Sequence, residues 1–388
     1  MHVVMIGQKG LPAKFGGIET HVADLSRELV KLGVKVTAYA RTWYTSSEVT
    51  RFDGIDVVRL PTIHTKHLDA GVHTLLATLH ALVKIRPDVY HFHGVGPSFF
   101  AWLPRIFAPT AKVVCTFHCV DRRHEKWGPF ARFMLFVGER ATTAFPHVTI
   151  AVGKTVQEYI ANTHGAASTY LPNGVYPQRA TVDHLLVAPF GLEPMNYLMM
   201  VSRLIPHKGA HTLIRAWQSA RLRQPELLKE QKLVIVGDGM FTDSYVQELK
   251  TLASQDDSIV FTGFQRGDTL EGLYMGARFT VHPSTSEGLP IVVLEAMSYG
   301  KAVITSDIPE HEEVLPDNSL MFATGDSEAL ADRILELVAD PMKAAAAGHL
   351  NRIAVEEDYH WPTIARETAG LYQSLVATKA RSLLLAKT

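Results

Sequence analysis

Short apolar runs rich in β-branched residues recur along the chain, with helical patterns between them. In the first half they are His2–Ile6, Val34–Ala40, Val57–Leu60, Val89–Phe92, Val113–Phe117 and Val148–Val152. In the second half they are Tyr197–Val201, Leu233–Val236, Ile259–Phe261, Phe279–His282, Ala302–Thr305 and Ser319–Phe322. Most are apolar at successive rather than alternate positions, so both faces of each strand are expected to be buried. Apolar positions at helical spacing lie between them, in Glu19–Leu32, Thr212–Gln224, Thr242–Ala253, Ile291–Tyr299 and Asp326–Val338. Strands of this kind alternating with helices predict parallel sheets wound by right-handed crossovers. Two such series predict an α/β chain of two doubly wound domains. The joint is expected in Asn173–Pro194, where prolines accumulate and periodicity is lost. A last helix is predicted over Ile364–Leu384.

Length agrees with two domains: 388 residues, at roughly 100–200 per domain. The formal net charge is −1, with 38 Lys+Arg against 39 Asp+Glu, which argues against a dedicated nucleic-acid binder. The total conceals an asymmetry. Residues 1–185 hold 20 basic and 13 acidic side chains, a balance of +7, and 13 of the 19 histidines. Cys115 and Cys119 are too few for a disulfide framework or a zinc site, so a reducing, cytoplasmic setting is expected. The opening MHVVMIGQKG lacks a basic leader and reads as a first strand. No run approaches the ~20 apolar residues of a membrane span.

Three segments carry candidate chemistry. The first is Pro283–Asp307, PSTSEGLPIVVLEAMSYGKAVITSD. A strand ends near His282, a loop follows, and Pro290 stands where a helix should start, as its fixed φ favours. The amide-rich start of such a helix attracts phosphate. Glu287 lies in the loop and Glu295 one turn into the helix, where a carboxylate suits a vicinal diol such as ribose. On spacing alone the pair also suits two solvated acids at a helix start. The second segment is VSRLIPHKG, Val201–Gly209, in which Arg203 and Lys208 leave a strand end where doubly wound folds bind ligands. Two cations there suit a diphosphate, although a solvated basic loop has the same composition. The third is the glycine-rich loop Gly7–Gly17, GQKGLPAKFGG, which lacks both GxGxxG and the GxxxxGK[ST] phosphate loop. The missing GxGxxG disfavours a nicotinamide-dependent dehydrogenase.

The order and spacing of these segments resemble family 4 of the nucleotide-sugar-dependent glycosyltransferases, of the two-domain GT-B type. The likeness runs through IGQKGLPAKFGGIET, LPNGV (Leu171–Val175), SRLIPHKG, LVIVGDG (Leu233–Gly239), VFTGF (Val260–Phe264), the paired-glutamate segment and YHWPTIA followed by Tyr372. GLPAKFGGIET and HCVDRRHEKWG are similar to enzymes that build bacterial polysaccharides, including rhamnosyl- and glucosyltransferases.

The resemblance implies two Rossmann-like domains facing a central cleft. Residues 1–180 would form the acceptor domain, residues 181–361 the donor domain, and the helix 362–388 would cross back to the first. It implies a retaining enzyme that moves a hexosyl or deoxyhexosyl group to a glycan or lipid-linked acceptor in cell-envelope polysaccharide synthesis. Arg203 and Lys208 would neutralise the donor diphosphate. Glu295 would hold the ribose, and Glu287 the transferred sugar, with the amides of Gly288, Leu289, Pro290 and Ile291 nearby (proline itself has no N–H). The base would sit near Phe264, Gln265 and Arg266, and Gly16 and Gly17 would approach the phosphates or acceptor. His118 matches the family histidine near the transferred sugar, with Asp121 and His93 as acceptor-side candidates. No D-x-D triplet occurs, so a metal-chelating donor site of the single-domain type is not expected, and the resemblance implies no cofactor beyond the nucleotide-sugar substrate. A GT-B nucleotide-sugar epimerase and a non-catalytic sugar-nucleotide binder remain as alternatives. The basic first half, with the aromatic stretches Ser98–Phe107 and Arg122–Arg140, suggests peripheral contact with the inner face of an anionic membrane.

Overall fold

In the computed structural model the chain forms two compact units, Met1–Gly174 with Trp361–Thr388, and Val175–His360. The structure describes residues 1–14, 16–65, 68–120, 122, 128–178, 186–239 and 242–385. Part of the expected joint and Asp121 therefore lie outside the described residues.

The first unit is built on β1 (His2–Ile6), β2 (Lys35–Arg41), β3 (Arg51–Phe52), β4 (Ile55–Leu60), β5 (Val89–His93), β6 (Lys112–Phe117), β7 (Val148–Ala151) and β8 (Thr169–Tyr170). Their order across the sheet is β3-β4-β2-β1-β5-β6-β7-β8. All neighbours pair in parallel except the short hairpin β3–β4. The central strand β1 keeps Met5 between Ala38 and His91. Val3–Ile6 are fully buried, as a strand covered on both faces requires.

The helix Trp361–Leu385 belongs to this unit. Its buried Trp361, Ile364, Ala365, Thr368, Ala369 and Tyr372 recur every three or four residues, a single apolar stripe, and it packs on the helix Gly17–Lys31.

The second unit carries β9 (Tyr197–Val201), β10 (Lys232–Val236), β11 (Ile259–Gly263), β12 (Phe279–His282), β13 (Val303–Ser306) and β14 (Met321–Phe322), in the order β11-β10-β9-β12-β13-β14 and parallel throughout. Strand order reverses direction beside β9, so a crevice is expected at the carboxyl ends of β9 and β12. The fully buried indole of Trp217 lies in the core, and its N–H is satisfied by Ser258 Oγ at 2.9 Å. Asp326 caps the helix Ser327–Ala339 by accepting from the amides of Glu328 and Ala329 at 2.9 and 3.0 Å.

The structure differs from the sequence reading at short elements. β3 and β8 have two residues each, too few to show a period. The expected strand Ser319–Phe322 is a 3₁₀ turn, Asn318–Leu320, followed by only Met321–Phe322, because Asp317 accepts from the Ser319 amide and tightens the chain. Among the described residues, no helix is long and apolar enough to cross a membrane.

Candidate functional site

The parallel sheet of the second unit brings the carboxyl ends of β9, β11 and β12 to one edge. Arg203 and Lys208 follow β9, Phe264–Arg266 follow β11, and the loop to Glu287 follows β12. Gly209 makes the close approach possible. Its φ is +75°, and a Cβ there would lie 2.1 Å from the Pro283 carbonyl oxygen. The two loops are then stitched together, with the Thr285 amide donating to the His207 carbonyl at 2.8 Å.

This packing seats Lys208 on Glu287. The ammonium donates to both carboxylate oxygens, at 2.5 and 2.7 Å, and His282 Nε2–H donates to Oε1 at 2.7 Å. The Lys208 and Glu287 side chains are only 13% and 9% exposed, so the surface-acid alternative for Glu287 is excluded. Burial works against its charged form, but the Lys208 charge and the His282 hydrogen bond prevail. The carboxyl pKa falls well below its ordinary value. Burial also lowers the His282 pKa, against the pull of Glu287. Behind His282, the buried ring of His311 lies edge-on at 5.3 Å, its Nδ1 2.9 Å from the Ser306 carbonyl oxygen.

Glu295 accepts from the Tyr274 hydroxyl at 3.0 Å, and Tyr274 stacks on Tyr299 with ring centroids 5.1 Å apart. Burial, reinforced by the Glu295 charge, raises the Tyr274 pKa well above normal and keeps the phenol a donor. Pro290 precedes the helix Ile291–Ser298, whose start has no side-chain cap. Its first N–H groups are therefore left for a ligand or solvent. Leu289 is buried beneath, while Gly288 and Ile291 are partly exposed. Arg203 is exposed, and Phe264 is 52% exposed. Gln265 is turned back to donate to the Thr262 carbonyl at 2.6 Å, and Arg266 precedes the helix Gly267–Gly276.

In the first unit, Gly16 precedes the helix Gly17–Lys31 at φ +107°, and a Cβ there would meet Glu19 Oε2 at 2.0 Å. Glu19 in turn accepts from the Lys9 amide at 2.9 Å. The glycine pair thus closes the loop onto its own helix.

His93 ends β5 and His118 follows β6 rather than ending it. Parallel pairing brings them together, His93 Nδ1 lying 3.3 Å from His118 Nε2. His21, from the first helix, stands edge-on to His118 at 4.8 Å and places Nδ1 2.7 Å from Asn173 Oδ1. Burial lowers the pKa of His21 to about 4, against the Asn173 hydrogen bond, and pushes His93 and His118 well below normal, these two further disfavoured by neighbouring rings. His91 has a packing role, with Nδ1 2.6 Å from the Tyr372 hydroxyl and Nε2 2.6 Å from Thr116 Oγ1.

The sequence reading missed His282, Tyr274, His311 and His21. His282 had one local signal, as the last residue of a strand five positions before Glu287. The others reach their clusters, His21 in the first unit and Tyr274 and His311 in the second, only through tertiary packing.

Comparison with known proteins agrees with this architecture. Residues 15–179 match the family described as Glycosyltransferase Family 4, and residues 195–340 match Glycosyl transferases group 1. The two matches together span most of the chain. The chain belongs to the family 4 glycosyltransferases of GT-B type.

An uncharacterized glycosyltransferase of Methanocaldococcus jannaschii is 26% identical, over 96% of this chain and 98% of the relative. A GDP-mannose-dependent alpha-(1-6)-phosphatidylinositol monomannoside mannosyltransferase of Mycobacterium tuberculosis is 27% identical, over 95% and 97%. Among solved structures, Anabaena HepE in complex with UDP and glucose superposes with a TM-score of 0.79 at 20% identity, over 96% of this chain and all of that one. Sucrose-phosphate synthase from Thermosynechococcus elongatus gives 0.81 at 21%, over 97% and 99%. At these identities the structural likeness establishes the fold alone.

Proposed function

We propose that this glycosyltransferase moves a hexosyl or deoxyhexosyl group, with retention, from a nucleoside-diphosphate sugar to a hydroxyl of a glycan or lipid-linked saccharide in cell-envelope polysaccharide synthesis. The second unit holds the donor and the first serves the acceptor. The observation that carries the reading is Lys208 on Glu287, beside the uncapped start of Ile291–Ser298.

An ammonium has three N–H donors. Two are directed at Glu287, which leaves one for a phosphate oxygen. Lys208 is thereby held in place while the sugar-facing carboxylate stays ionised. Arg203, exposed at the same sheet edge, supplies a second cation. Charge grows on the diphosphate as the glycosidic bond breaks, so these cations and the helix-start amides stabilise departure more than binding. Glu295, oriented by Tyr274, takes the ribose hydroxyls. Phe264–Arg266 border the base, and Gly288–Ile291 line the sugar and phosphates. In the first unit, His118 meets the transferred sugar, and His93 and Gly16–Gly17 border the acceptor side. The acceptor proton passes to the departing phosphate. Phosphate charge is met by side-chain cations and amides, so transfer proceeds without a metal at the donor.

The test is a donor screen. Nucleotide release is measured across UDP-, GDP-, dTDP- and ADP-sugars with saccharide acceptors, with mass detection of product. One donor class is expected to give an acceptor-dependent glycoside. An epimerised sugar without acceptor, or binding without turnover, would replace the reading.

Peripheral contact with an anionic membrane at its cytoplasmic face is part of the proposal. Phe99, Ile106, Phe107, Phe133 and Met134 are 37%, 61%, 67%, 61% and 41% exposed. Arg105, Arg132 and Arg140 are exposed in the same segments. An apolar concavity of about 490 Å³ lies among Phe99, Trp102, Ile106, Val137 and Phe145. Not every aromatic there faces outward. Phe100 and Leu135 pack against buried clusters, and Phe136 lies against His164 and Arg122. Each cation near anionic lipid adds about 1 kcal/mol. The protein is expected to float with anionic vesicles at low salt and to be released at about 0.5 M salt, where the Debye length is roughly 4 Å. Protein left at the bottom at low salt would remove the membrane from the account.

A further inference from the structure

His21, His93 and His118 bring one side-chain nitrogen each to within 4.8 Å of one another, and all three rings are buried. His93 Nε2 lies 3.4 Å from Met5 Sδ, whereas the hydrogen bonding of His21 is incomplete among the described residues. Asn173 Oδ1 is an acceptor, so His21 carries its proton on Nδ1 and presents a bare lone pair at Nε2. That Nε2 is buried and has no hydrogen-bond partner among the described residues. His93 Nδ1 and His118 Nε2 face each other at 3.3 Å, a separation that accommodates at most one proton. Burial holds the rings neutral, the form that binds metal. Among the described residues, the lone pair of His21 Nε2 meets no donor or electron-pair acceptor.

We propose that His21 Nε2, His93 Nδ1 and His118 Nε2 form a binding site for one borderline transition-metal dication such as zinc. Zinc–nitrogen bonds of about 2.0–2.1 Å in a tetrahedron set nitrogen separations of about 3.4 Å. His93 and His118 already stand at 3.3 Å. One nitrogen of each of the three rings lies within 4.8 Å of the others, so a small movement of the His21 ring, on the order of 1–2 Å, completes the tetrahedral spacing. The Asn173 contact fixes its tautomer and orients the ring, as outer partners of metal-binding histidines do. The fourth position is left to water or another small oxygen ligand.

His282, Glu287 and His311 also have suitable spacing, but Lys208 occupies Glu287, and a dication there would face that ammonium. The site therefore belongs to the first unit and is distinct from the diphosphate machinery. The metal takes the lone pair of His118. Resting on the reading that places His118 by the transferred sugar, zinc is therefore inhibitory.

Calorimetry with Zn²⁺ on the chelator-treated full chain tests the site without using activity. One tight equivalent is expected, weakened at least about 100-fold in His93→Ala and in His118→Ala, and about 10–100-fold in Asn173→Ala. His64→Ala, at an exposed ring stacked on Trp43, should bind as the parent does. Co²⁺ in the parent protein should give intense tetrahedral visible bands. Weak octahedral bands, absence of tight Zn²⁺ binding, or unchanged affinity in His93→Ala and His118→Ala would overturn the proposal, whatever the outcome of the donor screen.

Discussion

The two units share a doubly wound parallel sheet but arrange polarity at its carboxyl edge in opposite ways. The second unit holds a charged pair, Lys208–Glu287, whose carboxyl stays ionised despite burial. The first gathers His21, His93 and His118, kept neutral by the same burial. The difference lies in what surrounds each group. Glu287 is buried with a cation and a donor, whereas the histidines are buried mainly with one another. A charged edge suits a diphosphate, and neutral rings suit hydroxyls or a metal. The same architecture thus presents two different polar edges through a few residues at the ends of β5, β6, β9 and β12.

The strongest way to break this contrast is Lys208→Ala. It removes the cation from both the diphosphate and Glu287, so kcat at saturating donor should fall about 10²–10³-fold. Steady-state kinetics would count against the charged-edge account if only KM rose. Arg203→Ala would remove one proposed charge-assisted bond to the donor, worth about 1.5–3 kcal/mol, and should cost about 10–200-fold, again in kcat. Glu295→Gln should weaken nucleotide binding about 10-fold by calorimetry. Unchanged affinity would remove Glu295 from the ribose site.

A separate effect is expected on stability in acid. Burial, helped by the Arg41 charge, lowers the pKa of His73 to about 4 from an unfolded 6.5. Above 6.5 neither state binds the proton. Between 6.5 and about 4 the unfolded chain takes it and the folded chain refuses it, so stability falls with pH, by up to roughly 1.4 kcal/mol per unit. Glu287 is shifted in the same direction, but from the lower carboxylate value. Its contribution is present above the ordinary carboxylate pKa and disappears only as pH falls through its depressed one. Denaturant titrations across this window should show a shallower pH slope in His73→Leu. Equal slopes would mean that His73 is not held neutral.

Much of this architecture was legible in the residues. Continuous apolar runs located the long strands within one or two positions, because burial on both faces imposes that pattern. β3 and β8 escaped notice because two residues carry no period. Lys208 and Glu287 were legible as separate candidates, but not as partners 79 positions apart. The close packing at Gly209 joins them, and its positive φ leaves no mark beyond the glycine itself. His21 and Asn173, 152 positions apart, meet only when the first helix has packed. Such contacts arise from tertiary closure, which local patterning does not encode.

The division of labour between the units is tested most directly by hydrogen exchange with mass detection, with UDP and GDP added in turn at saturation. The account predicts new protection in residues 201–209 and 283–298 with at least one of these nucleotides, where the cations, Glu287 and the helix start stand together. Binding with protection confined to residues 1–120, and none in those two segments, would contradict it.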